Sequence, residues 1–135
     1  MKNEDFQKLK KFVEKELKIE ESNVMEKSIQ LSNLYTKFLQ IYTRELKNLK
    51  SKHHEKAKTY GELYHHYKFK FDYQLDTKAE VESYIRADDK YYQIALEYSN
   101  LEVQVKYLEQ ILEQINNLGF RIKNYIDLKK ISLGF

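Results

Sequence analysis

Between Arg44 and Phe71 the chain carries eight Lys or Arg against three Glu, together with all four of its His. The stretch therefore holds a charge of +5, and the remaining residues bring the total down to +3. On a helix, Lys47, Lys50, His54 and Lys58 share one face with Lys52 and Lys56 flanking it, a spacing that tracks phosphates along a strand. Tyr60, Tyr64, Tyr67, Phe69 and Phe71 follow, with Lys68 and Lys70 set among them. Aromatic planes stack on unpaired bases while lysines meet the backbone, so the combination suits a single strand bound without regard to sequence. The same residues have a plainer use. Tyrosines at helical spacing also build cores, and a Lys-rich face also serves only to solvate a helix.

Other chemistries find less support. Three isolated glycines, at 61, 119 and 134, cannot form a phosphate-cradling loop or a dinucleotide fingerprint, which excludes an ATPase. With no Cys there is no thiol nucleophile, thiolate metal site or disulfide framework. No Ser lies in a Gly-rich elbow beside triad partners. His53-His54 and His65-His66 are adjacent pairs without the i, i+4 spacing of a helical two-His metal site, so they read as surface residues, with His53 at the edge of an apolar line. Asp88-Asp89 with Glu80 and Glu82 could bind Mg²⁺ in principle, but neighbours on a helix point apart and a solvated face is the simpler reading. The expectation is a protein with no catalytic residues, cofactor or metal.

These side chains need elements to hold them. Pro is absent and charged residues make up 33%, a composition of uninterrupted, well-solvated helices, so the fold class is all-α. Phe6, Leu9, Phe12, Val13 and Leu17 predict an N-terminal amphipathic helix over 3–19. Asn23 followed by Glu26 resembles a capping box opening a second helix. Its apolar line runs from Leu31 through Tyr35, Phe38, Tyr42, Leu46, Leu49, His53, Ala57, Tyr60 and Tyr64 to Tyr67, and the helix counted from its cap spans about 44 residues or about 65 Å. From Tyr67 to Leu75 aromatic and polar residues alternate, which predicts an extended turn segment. Thr77-Lys78-Ala79-Glu80 is a capping box for a third helix, antiparallel to the second.

That third helix carries a heptad seam: Tyr91, Ile94, Tyr98, Leu101, Val105, Leu108, Leu112 and Ile115. A seam of this kind needs a partner helix. Tyr92, Leu96, Val103 and Tyr107 lie off it, which predicts a second buried face, between subunits. Asn116-Asn117-Leu118-Gly119 reads as a helix end with Gly in the left-handed conformation, followed by a last amphipathic helix from Phe120 to Ile131 containing Ile122, Tyr125, Ile126 and Leu128. The organisation expected is one helical domain over 1–135, a long coiled-coil-like hairpin with a short N-terminal helix and a C-terminal oligomerisation helix. Its parts are the helix at 3–19, a basic-aromatic arm and turn at 23–76, and the heptad and assembly helices at 77–135. No run approaches the roughly 18 apolar residues of a membrane span and no apolar leader opens the chain, so a cytoplasmic protein with no membrane partner is expected.

Ile85-Arg86-Ala87-Asp88-Asp89-Lys90, and above all Asn117-Leu118-Gly119-Phe120-Arg121-Ile122-Lys123-Asn124 with Asp127 near the end, resemble the UvsY-type recombination mediators of T4-like phages. The resemblance spans Asn23 to the end and includes the Lys-rich middle followed by aromatics. It implies a ring-like homo-oligomer, of about six or seven subunits, that binds single-stranded DNA, helps displace the single-strand DNA-binding protein and loads a RecA-like recombinase in the host cytoplasm. It also implies that the middle of the chain binds DNA, with Lys56 and Lys58 nearest to the family's basic pair. Gly61 and Glu62 interrupt this stretch, so the resemblance carries the region and not strict positions. Gly119-Phe120 with Ile122-Lys123 assigns the last helix to assembly. The expected DNA-binding set is Lys47, Lys50, Lys52, His54, Lys56, Lys58, Tyr60, Tyr64, Tyr67, Lys68 and Lys70. The expected oligomerisation set is Tyr92, Leu96, Val103, Tyr107, Phe120, Ile122, Tyr125 and Ile126. On the residues alone a coiled-coil adaptor with no nucleic-acid role remains the alternative.

Overall fold

A computed structural model of the protein describes residues 1–134, apart from the side chain of Glu21. Phe135, the last residue of the expected assembly segment, lies outside the described residues. The described chain is all-α. In order come α1 (Asn3–Glu16), a 3-10 turn (Glu21–Asn23), α2 (Val24–His65), a π-helical turn (His66–Lys70), α3 (Lys78–Ala87) and α4 (Asp89–Ser132). Two compact units divide the chain, Met1–Glu45 with Gln104–Phe135 and Leu46–Val103. In each, α2 and α4 run antiparallel, as the seam requires.

In the first unit, Val13 of α1, Leu34 and Phe38 of α2 and Leu108, Ile111, Leu112 and Ile115 of α4 form one buried cluster. A second contains Val24, Leu118 and Ile122, with Ile19, Leu31, Tyr125 and Ile126 packed against it. Tyr42 Oη donates to Glu109 Oε1 at 3.0 Å, which fixes the pairing of α2 with α4 beside the first cluster. The buried Glu45 is balanced by the amino group of Met1 at 3.0 Å and by Arg44 Nε at 3.2 Å, as a carboxylate removed from water requires. Helix α1 stops at Glu16, three residues short of expectation. Glu16 pairs with Lys27 Nζ at 3.1 Å.

The expected cap at Asn23 works backwards. Its Oδ1 accepts from Glu20 N at 2.8 Å and its Nδ2 donates to Lys18 O at 3.3 Å, so it closes the turn before α2 instead of pairing with Glu26. Gly119 also departs from expectation: α4 passes through it without interruption, and its backbone is not left-handed. Leu118 and Ile122 on either side are buried. Their burial outweighs the helix cost of one glycine, about 1 kcal/mol. A Cβ at 119 would stand 3.1 Å from Leu31 Cδ2, so the glycine lets α2 approach closely.

In the second unit, Leu75, Val81 and Ile85 are buried, with Tyr60, Leu63, Tyr64, Tyr67, Phe71 and Tyr91 around them. Thr77 caps α3 as expected, its Oγ1 accepting from Glu80 N at 3.2 Å, while Glu80 Oε2 accepts from Asp76 N at 3.0 Å. Two features differ from the sequence reading. Residues 66–70 are a π-helical turn and not an extended segment, because Tyr67 and Phe71 both turn onto Tyr84, with ring centroids 5.5 and 5.0 Å away. The expected third helix breaks at Asp88, whose backbone is extended. Asp88 Oδ1 accepts from Lys90 N at 2.9 Å and so caps α4.

Candidate nucleic-acid interface

The basic face lies on the part of α2 that belongs to the second unit, and side-chain contacts divide its lysines into two kinds. Lys47, Lys50 and Lys58 are exposed and make no ion pair with another described residue. Their ammonium groups are open to an incoming phosphate. Lys52 instead bridges Glu97 at 2.8 Å and Glu55 at 2.9 Å. The bonds to these two carboxylates, Glu97 first, raise its pKa above the ordinary lysine value. Lys56 is half-buried, its Nζ 5.0 Å from the Tyr98 ring centroid and 5.9 Å from that of Tyr91. Both cations are engaged by α4 before any ligand arrives. His54 is exposed on the same side as the open lysines.

The aromatics divide in the same way. Tyr60 lies tilted against Tyr64 and edge-on to Tyr91, centroids 6.3 and 6.1 Å apart, and its hydroxyl donates to Glu82 Oε1 at 3.0 Å. Burial, and then that bond, raise its pKa. Tyr64 and Tyr67 are likewise half-buried around Leu75, Val81 and Ile85. Tyr67 donates to Asp88 Oδ2 at 2.7 Å, so one carboxylate caps α4 and holds the turn. These three tyrosines form framework and present little ring face to a ligand. Lys68 and Lys70 are both exposed, but Lys68 Nζ donates to Leu75 O at 3.2 Å, which fastens it across the turn. Two rings absent from the expected DNA-binding set are the exposed ones, Phe69, which belongs to the basic-aromatic run, and Tyr73, both 70% exposed. The period-two pattern placed them on one face with Tyr67 and Phe71, and nothing in that pattern marks which rings turn inward. Asp88 was legible, since Asp two residues before Lys90 and ahead of an apolar run is an N-cap signal.

The Tyr67–Asp88 bond gives a pH prediction. That bond, reinforced by burial, pushes the Tyr67 phenol up to about 12 from 10.0. The raised value means that the neutral phenol contributes stability in full below about pH 10, and that the contribution is lost as pH rises towards 12. Tyr67→Phe should cost about 1.5 kcal/mol at pH 8, the low end for a hydrogen bond to a charged group because Asp88 is half-buried. Its ultraviolet titration, subtracted from wild type, should remove a tyrosine ionising near pH 12. A difference spectrum centred on pH 10 would contradict the bond.

The expected oligomerisation residues also fall in two groups. In the second unit Tyr92, Leu96 and Val103 are 57%, 44% and 61% exposed, and in the first Phe120 is 67% exposed. Ile122 is only 4% exposed, inside the cluster with Val24 and Leu118. Tyr107 packs edge-on against Phe6 at 5.3 Å, and burial, then Glu14, raise its pKa. Tyr125 and Ile126 are half-buried and line an open groove of about 740 Å³ with Val24, Met25, Lys129, Lys130 and Leu133. Among the described residues no group of three or more His, Asp or Glu could hold a metal ion, and no helix is long and apolar enough to cross a membrane.

Solved structures share this fold. Two crystal forms of the bacteriophage T4 recombination mediator protein UvsY superpose with TM-scores of 0.84 and 0.82 at 19% and 16% identity. They cover 99% and 94% of this chain and 99% and 98% of theirs. No curated protein sequence matches. At such identities the structural likeness shows the fold alone, but the sequence itself matches the UvsY family, described as recombination, repair and ssDNA binding protein, over residues 12–135. That description names binding and not a reaction, in keeping with the non-enzymatic reading of the residues. By a match that spans nearly the whole chain and takes in both the basic face of α2 and all of α4, this protein belongs to the UvsY family.

Proposed function

We propose that this protein is a recombination mediator that binds single-stranded DNA as a homo-oligomer and promotes loading of a RecA-like recombinase onto strand covered by single-strand DNA-binding protein, in the cytoplasm of a phage-infected cell. The observation that carries the reading is the row of Lys47, Lys50 and Lys58, exposed and free of ion pairs with other described residues on one face of α2. A single α2 face meets few phosphates, so each protomer binds weakly and without sequence preference. Copies joined in an oligomer turn later contacts into intramolecular ones, which raises the overall affinity by orders of magnitude where one strand reaches several faces. An array of that kind competes with another single-strand binder for the same strand and leaves it available to a recombinase. Fluorescence anisotropy of labelled oligo-dT at two salt concentrations tests the first step, with strong binding at low salt and weaker binding at high salt expected. No binding at low salt would sink the reading and favour a coiled-coil adaptor. Recombinase assembly on strand covered by single-strand DNA-binding protein, with and without this protein, tests the loading step.

For assembly, Tyr92, Leu96, Val103 and Phe120 have apolar surface to offer a second copy, while Ile122 and Tyr107 serve the interior of the first unit. Met25, Ile29, Leu128, Ile131 and Leu133, each at least 66% exposed, add further apolar surface, Met25 and Leu133 beside the groove. Phe120→Asp should shift the native mass towards smaller species with helical content unchanged. An unaltered mass would remove Phe120 from the interface.

A further inference from the structure

A single exposed ring is ordinary on a protein surface, so what matters is how its neighbours hold it. In the turn of the second unit the rings form a graded stack. Tyr67, tied to Asp88, and Tyr84 both lie against Phe71. Phe71 in turn backs Tyr73, with centroids 5.6 Å apart. Tyr73 is the outermost ring of this stack and is 70% exposed. Phe69 stands on the π-helical turn between Lys68 and Lys70, its ring 5.2 Å from that of His65, and is also 70% exposed. Phe71 thus backs Tyr73 without covering it, and Phe69 has only the exposed His65 ring beside it among the described ring contacts.

We propose that Phe69 and Tyr73 are the base-stacking residues of this protein, a site separate from the phosphate-binding face of α2, and that they supply its preference for unpaired over paired strands. The inference rests on the single-strand reading above. Three observations favour a nucleobase over a protein side chain as the occupant. Large apolar residues exposed on the turn and α3 are all flat rings, Phe69, Tyr73 and Tyr84, whereas the first unit exposes mainly aliphatic side chains. A ring offers a base a full face, and a duplex hides its base faces within its own stack. Charge is the third. Lys68 to Ala87 contains four Lys or Arg against four Asp or Glu, so the turn and α3 carry no net charge to draw phosphates, and what they add to binding should depend little on salt.

The test uses the full chain, its Phe69→Ala/Tyr73→Ala variant, and three probes of equal length: oligo-dT, an abasic oligonucleotide and a duplex. Wild type should bind oligo-dT more tightly than either of the other two. The variant should lose about tenfold on oligo-dT for each ring removed, with its salt slope and its binding to the abasic strand unchanged. Both rings are exposed, so thermal melting should be that of wild type, and a 2-aminopurine placed in the strand should report stacking with wild type only. Equal binding of abasic strand and oligo-dT by wild type, or full affinity in the variant, would overturn the site while leaving the single-strand reading intact. A variant that keeps its oligo-dT affinity but fails in recombinase loading would overturn it in favour of a protein partner. Failure of wild type to bind any strand at low salt would instead remove the reading on which the site rests.

Discussion

Phe38→Ala should lower the unfolding free energy by about 3–5 kcal/mol, the range for truncating a buried Phe to Ala. Phe38 has no exposed surface and lies where α1, α2 and α4 meet, among Val13, Leu34, Leu108, Ile111, Leu112 and Ile115. Phe12 tilts against it with ring centroids 6.2 Å apart. Removing the ring leaves those neighbours facing a void, and the cavity cannot close easily, because its walls are branched side chains held by three helices. Urea unfolding followed by circular dichroism measures the effect. Protein concentration must be held fixed, since any self-association adds to the apparent stability. A change below about 1 kcal/mol would mean that Phe38 is not at the centre of this unit.

Lys47→Ala/Lys50→Ala/Lys58→Ala should weaken binding to oligo-dT by about a hundredfold at 0.1 M salt for each protomer engaged, and lower the salt slope by about two. On a single strand the slope falls by about 0.7 for each phosphate that a lysine no longer neutralises, and three such phosphates carried across one decade of salt give the hundredfold figure. The weakening should be nearly independent of sequence and leave folding intact, because these three side chains make no ion pair with another described residue. Lys52→Ala is the control. Its ammonium bridges Glu55 and Glu97, so its removal should act on the packing of α2 against α4 more than on the slope. If the slope were unchanged in the triple variant and lowered in Lys52→Ala, the division between open and engaged lysines would be wrong.

The contrast among these lysines shows where sequence reading stops. Lys50, Lys52, Lys56 and Lys58 are equivalent as letters, although at 100° per residue Lys52 and Lys56 share one side of α2 and Lys50 and Lys58 another. Which of them meets Glu97 or the Tyr98 ring depends on how α4 lies against α2, which no local pattern contains. Ile122 and Phe120 are two residues apart in a segment assigned to assembly, yet one completes the cluster with Val24 and the other faces solvent. Gly119 carried a strong local signal for a helix end. That signal lost to a non-local one, because Leu118 and Ile122 gain a buried partner in Val24 only if the helix continues. The turn was misread for a related reason. Period-two alternation and a π-helical turn both separate Tyr67 from Phe69, and only the packing of Tyr67 and Phe71 onto Tyr84 selects the second.

What the sequence determined by itself was whatever depends on near neighbours along the chain. Helices follow from the absence of Pro, the start of α3 follows from Thr77 and Glu80, and the antiparallel pairing follows from a heptad seam that cannot stay in water. The basic stretch and the family were legible too, since both are linear. The tertiary structure alone decided which groups of α4 the engaged cations meet and which rings face outward. A side chain's availability is set by groups that reach it from another helix, tens of residues away, and the free energy of those interactions exceeds the local preferences that a sequence displays.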